Sequence, residues 1–192
     1  AIWNGFFSKG YDVLVLEYGA DKPKDIENLL KVVAPDIGVI THIARVHQAK
    51  GQFETLEDVL KEKKKLVTCL GSGGVAILNG DDELLKKIKG LRAKTLWWSK
   101  SGKADIHAEK LKTDETGFSA KINYAPKGAR RALKGEALIN VSAHFPIAGK
   151  FHIDAMLPAL LCGELFGISI EDGVTALQTF TLPPGRMSII EG

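Results

Sequence analysis

The 192-residue chain is predicted to fold as an α/β domain, a mostly parallel sheet flanked by helices with a small antiparallel β subdomain. Three features predict this. Four short runs, DVLVLE (12–17), IGVITHI (37–43), GVAILNG (74–80) and KTLWWS (94–99), are near-continuously apolar, as suits strands buried on both faces of a parallel sheet. Amphipathic helical patterns separate them. From 104 to 150 polar and apolar residues alternate, with turn signals at Thr116-Gly117, Pro126 and Gly128, so a small antiparallel sheet laid on the α/β core is expected there.

The elements follow in order. After the first run, Ile26, Leu29, Leu30 and Val33 form one helical stripe, ended by Pro35. The stretch LEDVLKEKKKLVTCL (56–70) places Leu56, Val59, Leu60, Leu66, Val67 and Leu70 on one helical face. Lys63 falls in the middle of that face, while Lys61 and Lys65 point away. Leu84, Leu85 and Ile88 make a third helix, stopped at Gly90. Two more are expected over 153–166 and 170–179, the second capped by Ser169 with Glu171 and Asp172 in its first turn.

Composition excludes several classes. Lys and Arg total 26 against 23 Asp and Glu, and the charges are interspersed, which argues against a nucleic-acid partner. No apolar run approaches the roughly 20 residues of a membrane span. The opening AIWNGFFSKGYD has no signal-peptide pattern, so a cytoplasmic protein is expected. Cys69 and Cys162 each lie in an apolar helical pattern and read as reduced core thiols.

Ligands of open parallel sheets bind beyond the carboxyl ends of the strands. The polar residues there are Glu17, then Thr41 and His42 with His47 a few residues on, then Asn79, Asp81 and Asp82. Singly, each has a plain alternative: a helix cap, a solvated histidine, a turn before a helix. Gathered on one edge, they point to a polar site. Lys63 has two readings. It snorkels, with its stem in the apolar stripe and its head in water; or its head lies at the site edge near Glu17 and His47, where partial desolvation depresses its pKa. Such an amine can act as a base, form a Schiff base, or add carbon dioxide to become a carbamate, whose oxygens with Glu17 suit Mg²⁺.

With Glu17, His47, Lys63 and Asn79 in hand, the chain resembles the central, ATP-binding domain of the Mur ligase family, which has a P-loop NTPase-like fold. The matching stretches are VLEYGADKPKDIENLLKVVAPDIGVITHIARVH (14–47), TLEDVLKEKKKLV (55–67), GVAILNGDD (74–82) and LPPGRMSIIEG (182–192). The first of these is most similar to members that add D-alanyl-D-alanine to the tripeptide precursor. The resemblance implies that Glu17 and His47 are magnesium ligands and that Lys63 is the lysine carbamylated in this family, with Lys63 and His47 as catalytic residues. It implies that Asn79, Asp81 and Asp82 meet the adenosine part of ATP, that His152 lies at the nucleotide, that Arg186 of the PGR loop reaches its phosphates, and that Thr41 and His42 face substrate. The implied cofactors are ATP and Mg²⁺. The implied partners are a UDP-N-acetylmuramoyl peptide and an amino acid or dipeptide, joined through an acyl phosphate.

Several features depart from that pattern. A phosphate loop of G-x-x-x-x-G-K-[ST] type is absent upstream of Glu17, and GSGG at 71–74 reads instead as a helix-to-strand loop. The chain is therefore expected to be one central domain over 1–192, a fragment lacking the phosphate-loop region and a C-terminal domain, and inactive alone. His152-Ile153 stands where the family has His-Asn, and Thr41-His42-Ile43 where it has Thr-Asn-Ile. Two alternatives stay open: an amide ligase of folylpolyglutamate or cyanophycin type, and a degenerate interaction domain.

Overall fold

The computed structural model describes residues 11–44, 52–102, 104–125 and 139–182. Three of the apolar runs become parallel strands: β1 (Ile37–Ile40), β2 (Val75–Asn79) and β3 (Lys94–Ser99). Val75 lies opposite Ile37 on one side and Lys94 on the other. Their side chains feed two cores, as continuous apolar runs require. Ile77, Leu96 and Trp98 pack beneath Leu157 and Leu161 on one face. Ile40, Ala76 and Leu78 pack against Val59, Val67 and Leu70 on the other. Each such Leu or Ile contributes about 1.5–3 kcal/mol by leaving water.

The helices on the second face are α1 (Asp25–Val32), α2 (Leu56–Lys63) and α3 (Lys65–Thr68). The basic stretch is thus two helices broken at Lys64. Thr55 starts α2 with a capping box, in which its hydroxyl accepts from the Asp58 N–H and Asp58 accepts from the Thr55 N–H. Gly38 lets α3 approach β1 closely, because a Cβ there would lie 2.8 Å from the Leu66 carbonyl oxygen. The first face is covered by α4 (Ile153–Leu165) and α5 (Ile170–Gln178). The Ser169 hydroxyl caps α5 by accepting from the Asp172 N–H at 3.0 Å.

Strands β4 (Ile106–Asp114), β5 (Gly117–Tyr124) and β6 (Ile139–Phe145) are antiparallel to one another. They do not form a separate sheet laid on the core. They extend the parallel sheet in the order β1-β2-β3-β4-β5-β6, because Trp98 and Ser99 pair in parallel with Ile106 and His107. Asp105 makes the join: its N–H donates to the Trp97 carbonyl, and its carboxylate accepts from the Trp97 N–H.

Three further expectations are corrected. Residues 12–17 pair with no described strand, and Val13 to Leu16 are exposed; an apolar run becomes a strand only where a neighbour supplies ladder partners, and β1 ends the described order. The third helix is only a 3₁₀ turn, Leu85–Lys87, since Ile88 is already extended and Gly90 turns at φ 70°. Cys69 is exposed, not a core thiol, and Cys162 is half-buried.

One carboxylate ties α1 to α2. Glu62 is buried and accepts the Ile26 N–H at 3.0 Å and the Glu27 N–H at 3.4 Å, capping α1 across space. Lys65, expected to point away, pairs with Glu62 at 2.9 Å and Glu27 at 3.3 Å. Burial alone would raise the Glu62 pKa, but the Lys65 ammonium and the backbone N–H groups outweigh it and hold it below the ordinary value of 4.5. A lowered folded-state pKa means that this stability is full above about pH 4.5 and lost as pH falls through the folded value. Glu62→Gln, followed by urea unfolding, is expected to cost about 1–3 kcal/mol at pH 7 and to flatten the loss of stability below pH 4.5.

Candidate functional site at the strand ends

The site is built where β1 and β2 stop. β1 ends at Ile40 because side chains take over from the ladder. Asn79 donates from Nδ2 to the Thr41 carbonyl at 2.9 Å, and its Oδ1 accepts the Asp81 N–H at 2.8 Å. Asp82 accepts the Ile43 N–H at 2.8 Å through Oδ2, and the Leu84 and Leu85 N–H groups through Oδ1 at 2.9 and 3.2 Å. Its carboxylate, 5% exposed, also meets His42 Nδ1 at 2.9 Å. One buried anion therefore joins the continuation of β1 to the turn after β2.

Lys63 comes to the same place from α2. Its Nζ donates to the His42 carbonyl at 3.2 Å. Burial pushes its pKa below the ordinary lysine value, partly opposed by the Asp82 charge. The head thus reaches protein at the sheet edge through a solvent-exposed contact.

Asp81 organises the next loop. It accepts from Ser99 Oγ at 2.6 Å, Ser101 Oγ at 2.5 Å and the Lys100 N–H at 2.7 Å. Burial would raise its pKa, yet the hydroxyls of Ser101 and Ser99 and the Lys100 N–H hold it below the usual aspartate range. Lys100 then pairs with Asp154 at the start of α4 at 2.7 Å. His152 stacks on Phe151 with ring centroids 4.3 Å apart, and its Nε2 is buried with no hydrogen-bond partner.

Among the residues expected at this edge, the structure brings together Thr41, His42, Lys63, Asn79 and Asp82, with Asp81 beside them. Glu17 is exposed, and no described ion pair or hydrogen bond joins it to Lys63. His47 and Arg186 lie outside the described residues. Among the described residues no group of three or more His, Cys, Asp or Glu side chains is arranged to hold a metal ion. Sequence reasoning missed the Glu62 cap and the Lys100–Asp154 pair. The former had a signal: Glu62 lies three residues after Val59 and four before Leu66, on the apolar stripe. The latter joins residues 54 apart, for which no local pattern exists.

A parallel sheet with helices on both faces, extended by antiparallel strands, agrees with the family match. Residues 4–163 match the Mur ligase middle domain, and the chain belongs to that family. It is 28% identical over 95% of its length to the UDP-N-acetylmuramoyl-tripeptide–D-alanyl-D-alanine ligase of Buchnera aphidicola, covering 37% of that protein. It is 30% identical over 79% of its length to the UDP-N-acetylmuramoyl-L-alanyl-D-glutamate–2,6-diaminopimelate ligase of Thermosynechococcus vestitus, covering 28% of it. The fold matches the crystal structure of MurF ligase from Thermotoga maritima in complex with ADP, with TM-score 0.74 at 22% identity over 95% of this chain and 39% of that one. The chain thus spans about a third of the length of the relatives it matches.

Asp82→Ala strands three backbone N–H groups at once. A loss of at least about 2 kcal/mol in chemical unfolding is expected, whereas a change below about 0.5 kcal/mol, typical of a surface substitution, would contradict this role.

Proposed function

We propose that this domain is the central part of an ATP-dependent amide ligase acting on a UDP-N-acetylmuramoyl peptide in the cytoplasm, with D-alanyl-D-alanine as the incoming amine. The observation that carries the reading is Lys63: a half-buried amine with a lowered pKa, seated on the His42 carbonyl at the end of a parallel sheet, in a chain of the Mur ligase middle domain family. The ligase names of the relatives that align over most of the chain support the choice of substrates.

In the proposed reaction the muramoyl peptide carboxylate attacks the γ-phosphorus of ATP and ADP leaves, giving an acyl phosphate. The amine then attacks the acyl carbon, loses a proton, and inorganic phosphate departs from the tetrahedral intermediate. The chain's contribution is position and charge. Asn79 and Asp82 fix the β1 continuation on which Thr41 and His42 face substrate. Asp81 fixes the loop that places Lys100 against Asp154. Because the acceptors of Asp82 are filled by protein donors, its part at the nucleotide is to hold the edge on which Asn79 and His152 meet adenosine, and Arg186 is assigned to the phosphates.

Magnesium prefers oxygen donors, which a carbamate on Lys63 and the carboxylate of Glu17 would supply. A Lys63 amine whose pKa is lowered by burial adds carbon dioxide more readily than a surface lysine does, and a carbamate formed there would hold the ion together with Glu17 and His47. Bound there, Mg²⁺ would neutralise phosphate charge.

Similarity to cyanophycin synthetase of Geminocystis herdmanii, 26% identical over 81% of the chain, makes that chemistry the competing outcome. The test supplies the full-length gene product with Mg-ATP, UDP-N-acetylmuramoyl tripeptide and D-alanyl-D-alanine, and follows ADP and the mass of the product. Amide formation is expected, and Lys63→Ala is expected to lower kcat at least about 100-fold with the fold retained. Amide formation only with cyanophycin substrates, or an unaffected Lys63→Ala, would overturn the reading.

A further inference from the structure

A cavity of about 380 Å³ lies between the turn after β2 and the end of β3. Successive side chains of a strand point to opposite faces. Trp98 enters the core beneath α4, so Trp97 and Ser99 face the other way, while Lys100 turns back to Asp154 of α4. The cavity, walled by Trp97 and Ser99, is therefore across the sheet from His152 and Asp154. Its loop is fixed from within. Ser99 Oγ accepts the Ser101 and Gly102 N–H groups at 3.0 and 2.8 Å and donates to Asp81, which also accepts from Ser101 Oγ and the Lys100 N–H. The Asp81 carboxylate thus spends its acceptors on protein. Two ammonium groups are left to face the space, those of Lys86 and Lys89. Lys86 holds Glu83 at 2.7 Å in an i,i+3 contact whose side chains are 47% and 81% exposed, a pair that an incoming anion can displace. Among the described residues no acid pairs with Lys89.

We propose that this cavity binds a small organic phosphate carrying a flat ring, with Lys86 and Lys89 on the phosphate and Trp97 against the ring. Its lining holds two cations and one carboxylate, and the carboxylate is turned inward, so the balance that a ligand meets is positive. Lysine grips phosphate as a point charge with several donors. A bare anion would leave the indole uncovered, and an uncharged ring would leave both ammonium groups unused. The volume lies near the lower end of the roughly 300–1,000 Å³ of small-molecule sites, which sets the ligand's size. Gly80 adds no side chain to the lining, and a Cβ there would lie 3.1 Å from the Trp98 carbonyl oxygen. The inference does not rest on the ligase reading, since neither Lys63 nor His152 lines the cavity.

The test titrates the full-length protein by calorimetry with phenyl phosphate and, separately, with inorganic phosphate. Phenyl phosphate is expected to saturate one site per chain and to bind at least about 10-fold more tightly than inorganic phosphate, the margin that stacking on an aromatic side chain supplies. Lys89→Glu, a change at an exposed side chain, is expected to weaken phenyl phosphate at least about 10-fold by removing a charged donor, and Lys89→Arg to keep most of the affinity. Trp97→Leu should erase the preference over inorganic phosphate while Trp97→Phe retains it, which separates loss of the ring contact from loss of the fold. Lys63→Ala should change neither titration. No saturable binding, equal affinity for the two probes, or indifference to Lys89→Glu would overturn the proposal. Binding lost in Lys63→Ala but kept in Lys89→Glu would place the probe at the strand-end site and would overturn it as well, leaving the ligase reading untouched.

Discussion

The site depends on one buried carboxylate. Asp82 sits at the turn after β2 and spends both oxygens inside the protein, on three backbone N–H groups and one imidazole. A bare carboxylate so far from water would be costly. Four donors offset that cost, and they come from two segments that no ladder joins. The strand-end edge is therefore a single unit, and the position of His42, and through its carbonyl the position of Lys63, follows from it. The same negative charge opposes the desolvation of the Lys63 ammonium without cancelling it. The amine is thus held in place while its proton is held less tightly than on a surface lysine.

Three carboxylates of the described structure share this logic at different scales. Glu62 caps α1 from α2 and is balanced by Lys65. Asp81 gathers two serine hydroxyls and a backbone N–H around the β3–β4 loop. Asp82 joins β1 to β2. In each case an acid is placed where backbone N–H groups lack ladder or helix partners, which is why these anions reside at element ends and not in the middle of a face. The arrangement places rigid backbone around a polar edge, the condition under which charged substrates are bound with little reorganisation.

Much of the fold was legible in the residues. Continuous apolar runs marked β1, β2 and β3, because burial on both faces leaves no reason to alternate. Ser169 marked the start of α5 through its hydroxyl. What was not legible depended on partners distant in sequence. The run at 12–17 has the composition of a strand, but pairing is a property of two segments. The antiparallel strands join the parallel sheet through Asp105 and Trp97, a contact that alternation does not encode. At the site, Lys63 was legible as a lysine on an apolar stripe, and the gathering of polar residues beyond the strands followed from topology. The inward use of Asp82 was not, since NGDD reads equally as a turn, a cap or a ligand.

The central claim is that the Lys63 amine at the strand ends is desolvated and steadied by Asp82. It is tested most directly by titrating Lys63 in the full-length protein, with its Nζ resonance assigned by comparison with Lys63→Arg. The account predicts a titration below the ordinary lysine value of 10.5 that moves lower still in Asp82→Asn, because Asp82 raises it. Titration alongside the surface lysines, indifferent to Asp82→Asn, would contradict it.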